Sequence, residues 1–376
     1  MNPRVLEIES SLIRKVAAHR RPSSIDLGLG EPSLSPNPAH FEHAMSYIEA
    51  HGIRYTVNAG DPALREAIAR YYDYPGMHGA ENVCVTTGSQ EAMYVTIKTL
   101  LDPAEDELLV VEPTFPSYIK MARLEGIAVR GVVMDEADDF TLDARRIVDA
   151  IGERTRAIVI CSPNNPTGRV LRSDQAAILV NALESREGEP VWLIHDEIYR
   201  EQTFVDDEAY LGERYRHTIV TNSVSKSNAL TGLRLGWIIG PEDFVQHATK
   251  THAWVTSCTD TFAQHVGLHI FSELGGVNEH VSWYRAQWAG VTEALQASNL
   301  RYIPIDGSFY ACVKLPEGVL SYDAAMELIE EYDVLAIPGI AFGEAFEGWL
   351  RLSWVAPLPH VREGIKRVTA YVKDYV

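Results

Sequence analysis

Between about residue 60 and residue 240 the chain alternates two hydrophobic rhythms. Short runs that are apolar almost throughout ("NVCVT", "ELLVV", "VRGVVM", "AIVIC", "VWLIH", "HTIVT" and "LGWII") read as strands. Between them lie segments with helical spacing: "DPALREAIARYY", "QEAMYVTIKTLL", "FPSYIKMARLEG" and "SDQAAILVNALES". In the first, Asp61 is placed to cap the helix and Pro62 to open it, with Leu64, Ala67, Ile68 and Tyr71 as its apolar stripe. Strands without a polar face need cover on both sides. The pattern therefore predicts an α/β fold with a largely parallel sheet between helices.

After about residue 275 the rhythm changes. A long helical region, "VNEHVSWYRAQWAGVTEALQAS", leads into "RYIPIDGSFYACVKL", a helix "YDAAMELIEEY", the turn-rich "AIPGIAFG", a strand "WLRLSWV" and a last helix "PHVREGIKRVTAYVKDY". That reads as a smaller α+β domain. A length of 376 residues exceeds the usual single core, which fits two domains. We expect a larger domain over 40–276 and a smaller one over 277–376 joined by the N-terminal segment 1–39, since termini often pack together.

Charge narrows the partners. With 52 acidic and 33 basic residues the net charge is −19, which argues against nucleic acid and anionic membranes. A small anion remains possible wherever a few Arg or Lys side chains converge. Cys84, Cys161, Cys258 and Cys312 are far apart and form no C-x-x-C, so they read as small buried hydrophobes in a reducing compartment. The first residues, "MNPRVLEIESSLIRKVAAHRRPSS", contain Glu7 and Glu9 and no long apolar core. Neither a signal peptide nor a membrane span is expected there, and the expected location is the cytoplasm.

Several strand ends carry polar residues. In "VTTGSQEA" a strand stops, Gly88 turns, and a helix starts, so the free N–H groups of Gly88, Ser89 and Gln90 favour a phosphate; a structural turn would look the same. No nucleotide-binding glycine motif is present. "CSPNNPTGRV" places Asn164 and Asn165 past a buried strand, in a ligand position or in an ordinary turn. "VWLIHDEIYR" ends a buried strand with Asp196, which needs a cationic or N–H partner, and with Tyr199; His195 reads as a packing residue. "TNSVSKSNALTGLRLGW" sets Ser223 and Arg234 around Lys226. Hydroxyl and guanidinium suit phosphate oxygens, and a lysine kept partly deprotonated can condense with a carbonyl. His265 and His269 stand four apart with no third ligand type to complete a metal site, so they read as helix packing, and no metal is expected.

Taken in order, "LGLGEP", "YTVNAGDPALREAI", "TGSQEA", "EPTFPSY", "SPNNPTG", "HDEIY", "SVSKSNALTGLRLGW", "GSFYACVKLP", "IPGIAFG" and "RLSWVAP" resemble the class I/II aminotransferases, pyridoxal 5'-phosphate enzymes of fold type I. The resemblance covers nearly the whole chain. It implies a mostly parallel seven-stranded sheet in the larger domain. It also implies that Lys226 is the Schiff-base lysine and proton carrier, that Asp196 pairs with the pyridine nitrogen, and that Asn165 and Tyr199 bond the ring oxygen. Gly88, Ser89, Gln90, Ser223 and Arg234 would hold the phosphate, and Phe115 would lie on the ring face. Arg351 would grip the substrate α-carboxylate, with Gly30 in the loop beside it and Asn165 also near the substrate. Tyr55 would reach the site of a neighbouring subunit, which implies a homodimer.

The resemblance implies transfer of an amino group between an L-amino acid and a 2-oxo acid. Gln90 stands where some relatives have a lysine for a second carboxylate, which leans the donor towards neutral or aromatic amino acids. A β-eliminating C–S lyase would use the same cofactor and lysine, and fold alone does not separate the two. A non-catalytic regulatory module on this fold usually carries an appended DNA-binding domain, which the negative charge argues against.

Overall fold

The structure is a computed structural model and describes residues 1–273 and 275–375. Strands in chain order are β1 (Ile25–Asp26), β2 (Val83–Thr86), β3 (Glu107–Glu112), β4 (Ala128–Val133), β5 (Thr155–Cys161) and β6 (Trp192–Asp196), then β7 (Thr218–Ser223), β8 (Gly236–Ile239), β9 (Tyr310–Lys314), β10 (Val334–Leu335), β11 (Ile337–Pro338) and β12 (Trp349–Ser353).

Seven of them form one sheet in the order β2-β8-β7-β6-β5-β3-β4. β8 runs against both neighbours, and the other pairs are parallel. Every residue of β2, β7 and β8 is buried, as continuous apolar strands under helices on both faces require. The register aligns Cys161 with Asp196 and Asp196 with Thr221, which brings the ends of β5, β6 and β7 side by side. The chain leaves β3 for β4 on one side and returns to β5 on the other. Such a reversal opens a crevice at the carboxyl ends of the strands.

The Asp61 cap forms as read: its carboxylate accepts from Ala63 N at 2.8 Å and Leu64 N at 3.2 Å, and the helix runs Pro62–Tyr72. Leu64 and Ile68 of the expected stripe are buried, Tyr71 packs half-buried against the same core, and Ala67 is half-buried. The helix packs against the Thr261–Ser272 helix and β2, and Ala69 and Tyr72 are buried as well, so its inward face is wider than expected. Tyr71 also donates its hydroxyl to Glu201 at 3.1 Å.

A second sheet, β11-β12-β9, is antiparallel, with Arg351 on its central strand opposite Ile337 and Cys312. The helices Val281–Ser298 and Leu358–Asp374 pack on each other beside it. The N-terminal segment joins this part of the molecule: β1 pairs in parallel with β10, and Ser353 N donates to Leu27 O at 2.6 Å. Cys84, Cys161 and Cys312 are buried and Cys258 is half-buried, all as free thiols. Among the described residues no helix is long and apolar enough to cross a membrane. His269 faces His40 across two helices at 2.8 Å, and His265 stacks on Tyr47.

Candidate active site

A cavity of about 560 Å³ opens at the carboxyl ends of β3, β5, β6 and β7. Of the residues singled out by sequence, Ser89, Gln90, Phe115, Asn165, Asp196, Tyr199, Lys226, Arg234, Gly30 and Arg351 line it.

Lys226 lies on the single helical turn Val224–Ser227 that follows β7. Its carbonyl accepts from the Tyr284 hydroxyl at 2.8 Å, which fixes the backbone, and its Nζ donates to Gly30 O at 2.6 Å. Burial lowers the ammonium pKa to about 8, with the positive charge of Arg351 adding to the effect. A substantial fraction of the amine is therefore neutral near physiological pH.

Asp196 ends β6 and is buried. Its Oδ1 accepts from Ile198 N at 3.2 Å and its Oδ2 from the Tyr118 hydroxyl at 2.6 Å. Burial pushes the carboxyl up to about 6, with these hydrogen bonds pulling it back only in part. Among the described residues no Lys or Arg pairs with it. The cationic partner that its burial calls for has to come from the cavity.

Arg351 shows the opposite imbalance. It is buried, donates from Nη1 to Asn165 Oδ1 at 3.1 Å and from Nη2 to Gly28 O at 2.5 Å, and lies over the Tyr310 ring at 4.1 Å. Its Nε has no partner, and among the described residues no carboxylate pairs with it. Asn165, held by this contact, keeps its amide N–H groups available. Tyr199 hydroxyl meets Tyr310 hydroxyl at 3.2 Å, and Phe309 packs edge-on to the Tyr199 ring.

The third corner is made of backbone. Gly88 adopts φ +80° and ψ 166°, a combination open almost only to glycine, and supplies no side-chain cap to the helix Ser89–Leu100. The leading N–H groups of that helix are thus left for a ligand. Arg234 crosses directly over Gly88, where a Cβ would sit 2.3 Å from Nη2, and it donates to Thr231 O at 2.8 Å. Gly236 lies beneath, where a Cβ would meet Gly88 C at 2.4 Å and Ser89 N at 2.5 Å.

Three residues to which the resemblance gives a role are not in the cavity wall. Gly88 lies just behind Arg234. Ser223 faces its own backbone: its Oγ caps the next turn by accepting from Ser225 N at 3.2 Å, and Ser225 takes the place in the wall. Tyr55 is 90% exposed and stands on the surface with Ile53, Val57 and Trp254, its loop tied down by Asn58 donating to Ser257 O at 2.7 Å. Sequence reading missed Tyr118, Tyr310, Ser225 and the N-terminal residues Ser11, Ile13 and Arg14. The Tyr in "FPSY" is the one of these with a local signal, six residues past a strand end at the crevice.

The arrangement asks for ligands that bring an anionic group to the Gly88–Arg234 corner, a proton-bearing nitrogen to Asp196 and a carboxylate to Arg351, around an amine ready to react. The family model described as "Aminotransferase class I and II" matches residues 22–368. The chain is 31% identical to a probable N-acetyl-LL-diaminopimelate aminotransferase of Bacillus subtilis (strain 168), over 99% of this chain and 95% of that protein. It is also 31% identical to an aspartate aminotransferase of Pyrococcus horikoshii, over 97% of this chain and 95% of the relative. Among solved structures, an aspartate aminotransferase from Thermus thermophilus with maleate matches with a TM-score of 0.90, 28% identity and 99% of each chain covered.

Proposed function

The chain belongs to the class I and II aminotransferases, and from that premise we propose that it moves an amino group between a neutral or aromatic L-amino acid and a 2-oxo acid, with pyridoxal 5'-phosphate held in this cavity and Lys226 as the reactive amine. The observation that carries the reading is the pair of opposite imbalances in one cavity: Asp196 is a buried carboxylate without a cation, and Arg351 a buried guanidinium without a carboxylate.

The residues present fit the cofactor. Arg234, the N–H groups of Ser89 and Gln90 and the hydroxyls of Ser223 and Ser225 would hold its phosphate over the Gly88 turn. Asp196 would face the pyridine nitrogen, Asn165 and Tyr199 the ring oxygen, and Phe115 the ring face. When bound, the cofactor supplies an aldehyde that condenses with amines and a ring that draws electrons from the substrate Cα. Arg351 binds the substrate α-carboxylate through its two outer nitrogens, exchanging Asn165 and Gly28 for an anion. Lys226 Nζ, whose ammonium pKa burial lowers to about 8, takes the proton from Cα and returns it. Asp196 stays charged beside a cation, which reverses the cost of its burial.

The side-chain wall supports the donor class. Gln90 is neutral and is bonded to Ser117 Oγ at 3.2 Å, and Met93, Met121 and Phe115 make the nearby wall apolar. We also propose a homodimer in which the exposed face of Ile53, Tyr55, Val57 and Trp254 meets a second copy and Tyr55 enters its site. Residues 40–276 would form the larger domain and 1–39 with 277–376 the smaller. The four free thiols suit a reducing compartment, and we place the reaction in the cytoplasm.

The test is a panel of amino donors assayed with 2-oxoglutarate, run on the wild type and on Lys226→Ala. Transamination by the wild type with neutral or aromatic donors, lost in the variant, is the expected result. An unchanged rate in Lys226→Ala would overturn the assignment. Release of pyruvate and ammonia without any acceptor would replace transfer by elimination.

A further inference from the structure

Behind the cavity runs a charged seam that has no part in the roles above. Asp306 stands four residues before β9 and is buried. Its two oxygens lie 2.9 Å from Arg169 Nη1 and 3.1 Å from Arg172 Nη2. Among the described residues no other carboxylate is paired with two arginines. Both arginines follow β5, on the stretch that carries Asn164 and Asn165. Asp306 therefore ties the end of a strand of the seven-stranded sheet to the entry of β9 in the second sheet.

Around these charges the two backbones touch. Gly307 N donates to Gly168 O at 2.8 Å, and a Cβ on Gly168 would sit 2.9 Å from Gly307 O. Cys312 Sγ donates to Pro166 O at 3.1 Å. The turn between Asn164 and Arg169 is closed on itself. Asn164 N donates to Arg169 O at 2.8 Å, and Asn164 Oδ1 accepts from Thr167 N at 3.1 Å and Thr167 Oγ1 at 2.9 Å. Arg169 is thus joined by its backbone to the residue before Asn165 and by its side chain to Asp306. Asn165 lines the cavity, where its Oδ1 accepts from Arg351.

We propose that Asp306 is a positioning residue: through Arg169 and Arg172 it holds the Asn164–Arg169 turn in the register that aims the Asn165 amide N–H at the ring oxygen of the cofactor. The inference rests on the roles proposed above for Asn165 and Arg351. In that reading Arg351 gives up Asn165 when a substrate carboxylate arrives, so Asn165 then depends on its turn for its direction. A buried carboxylate between two guanidiniums adds little net stability, because desolvation offsets the attraction; what it supplies here is register. The two arginines are not equivalent. Arg172 also meets Asp207, whereas the other polar contact of the Arg169 side chain is the Thr141 hydroxyl at 2.7 Å. Without the Asp306 charge, Arg169 becomes a half-buried cation with no counter-charge, and the turn that its backbone closes is the part that gives way.

An absorbance titration of the cofactor-loaded protein reads this without turnover. A hydrogen-bond donor at the ring oxygen favours its ionised form, so a displaced Asn165 raises the pH at which the spectrum changes. Loss of the negative charge of Asp306 would by itself lower that midpoint, so the two effects have opposite signs. Asp306→Asn should raise the midpoint by about half a unit or more, the order of one weakened hydrogen bond. Arg169→Lys keeps the charge and loses the fork; it should raise the midpoint in the same direction, and it serves as the test where Asp306→Asn does not fold. Asn165→Ala should raise the midpoint at least as far, and adding Asp306→Asn to it should raise it no further. An unchanged or lowered midpoint in Asp306→Asn, whatever its melting temperature, overturns the proposal, as does the same rise with and without Asn165. If Asn165→Ala raises the midpoint and Asp306→Asn does not, the role of Asn165 stands and only the seam assignment falls. If Asn165→Ala leaves the midpoint in place, the ring-oxygen reading fails and the proposal with it.

Discussion

Asp196→Asn should stabilise the cofactor-free protein at neutral pH while it weakens cofactor binding. Burial raises the Asp196 carboxyl from the ordinary 3.8 to about 6 in the fold. A carboxyl that is harder to ionise folded than unfolded stabilises the fold only while it is protonated. Its contribution is complete below about 3.8 and is lost as pH rises through about 6. A shift of roughly two pKa units, at about 1.4 kcal/mol each, makes the ionised Asp196 cost about 3 kcal/mol at pH 8. The same relation leaves about half of that cost at pH 5. Asparagine keeps the shape and removes the charge. Its oxygen accepts from Ile198 N–H, and its amide donates to the Tyr118 hydroxyl, which turns from donor to acceptor. Imperfect re-pairing takes part of the gain, so a rise on the order of 1–3 kcal/mol is expected at pH 8. Urea unfolding of wild type and variant without cofactor, at pH 8 and pH 5, measures it. A variant less stable than wild type at pH 8, or a difference that is the same at both pH values, would refute the reasoning.

Two further outcomes follow from the geometry. In the cofactor-free protein, labelling of Lys226 by trinitrobenzenesulfonate, followed by peptide mapping, should rise with a midpoint near pH 8 and not 10.5, and Arg351→Ala should move that midpoint upward; a wild-type midpoint near 10.5 would remove the burial argument. Gly236→Ala forces a Cβ against the Gly88 and Ser89 backbone, which cannot step aside as a side chain would. It should cost about 1–3 kcal/mol in thermal unfolding and lower phosphate affinity at the corner, and an unshifted melting temperature would contradict the contact.

How much of this was legible in the chain depended on where the signal lay. Elements with a strong local pattern were readable: the runs of β5, β6 and β7, the Asp61 cap, and the polar residues at their ends. Local pattern does not say which neighbours a helix meets, so the burial of Ala69 and Tyr72 beside Leu64 and Ile68 on Pro62–Tyr72 was not legible. Nor does it say which of two hydroxyls two residues apart lies in the cavity wall; Ser223 accepts from the Ser225 N–H, and Ser225 is in the wall. Tyr118 and Asp196 meet across 78 positions through the side-by-side placement of β3, β5 and β6. Arg14 looked like an ordinary charged position on a short helix. Its place in the wall comes from the pairing of β1 with β10 and the docking of the segment around it. The family-level site was legible through the ordered motifs, and the substrate-facing rim was not.

The contact of Gly236 with the Gly88–Ser89 backbone also bears on how this enzyme can change. Its two glycines have no side chain to exchange: a Cβ at Gly236 collides with peptide atoms, and one at Gly88 collides with the Arg234 guanidinium. Ile13, Arg14, Gln90, Met93 and Met121 also line the cavity. Variation that keeps the fold and alters the substrate falls on such positions more readily than on the two glycines. A library aimed at new amino donors has five productive positions there, and drift among natural descendants of this chain would leave its record in the same place.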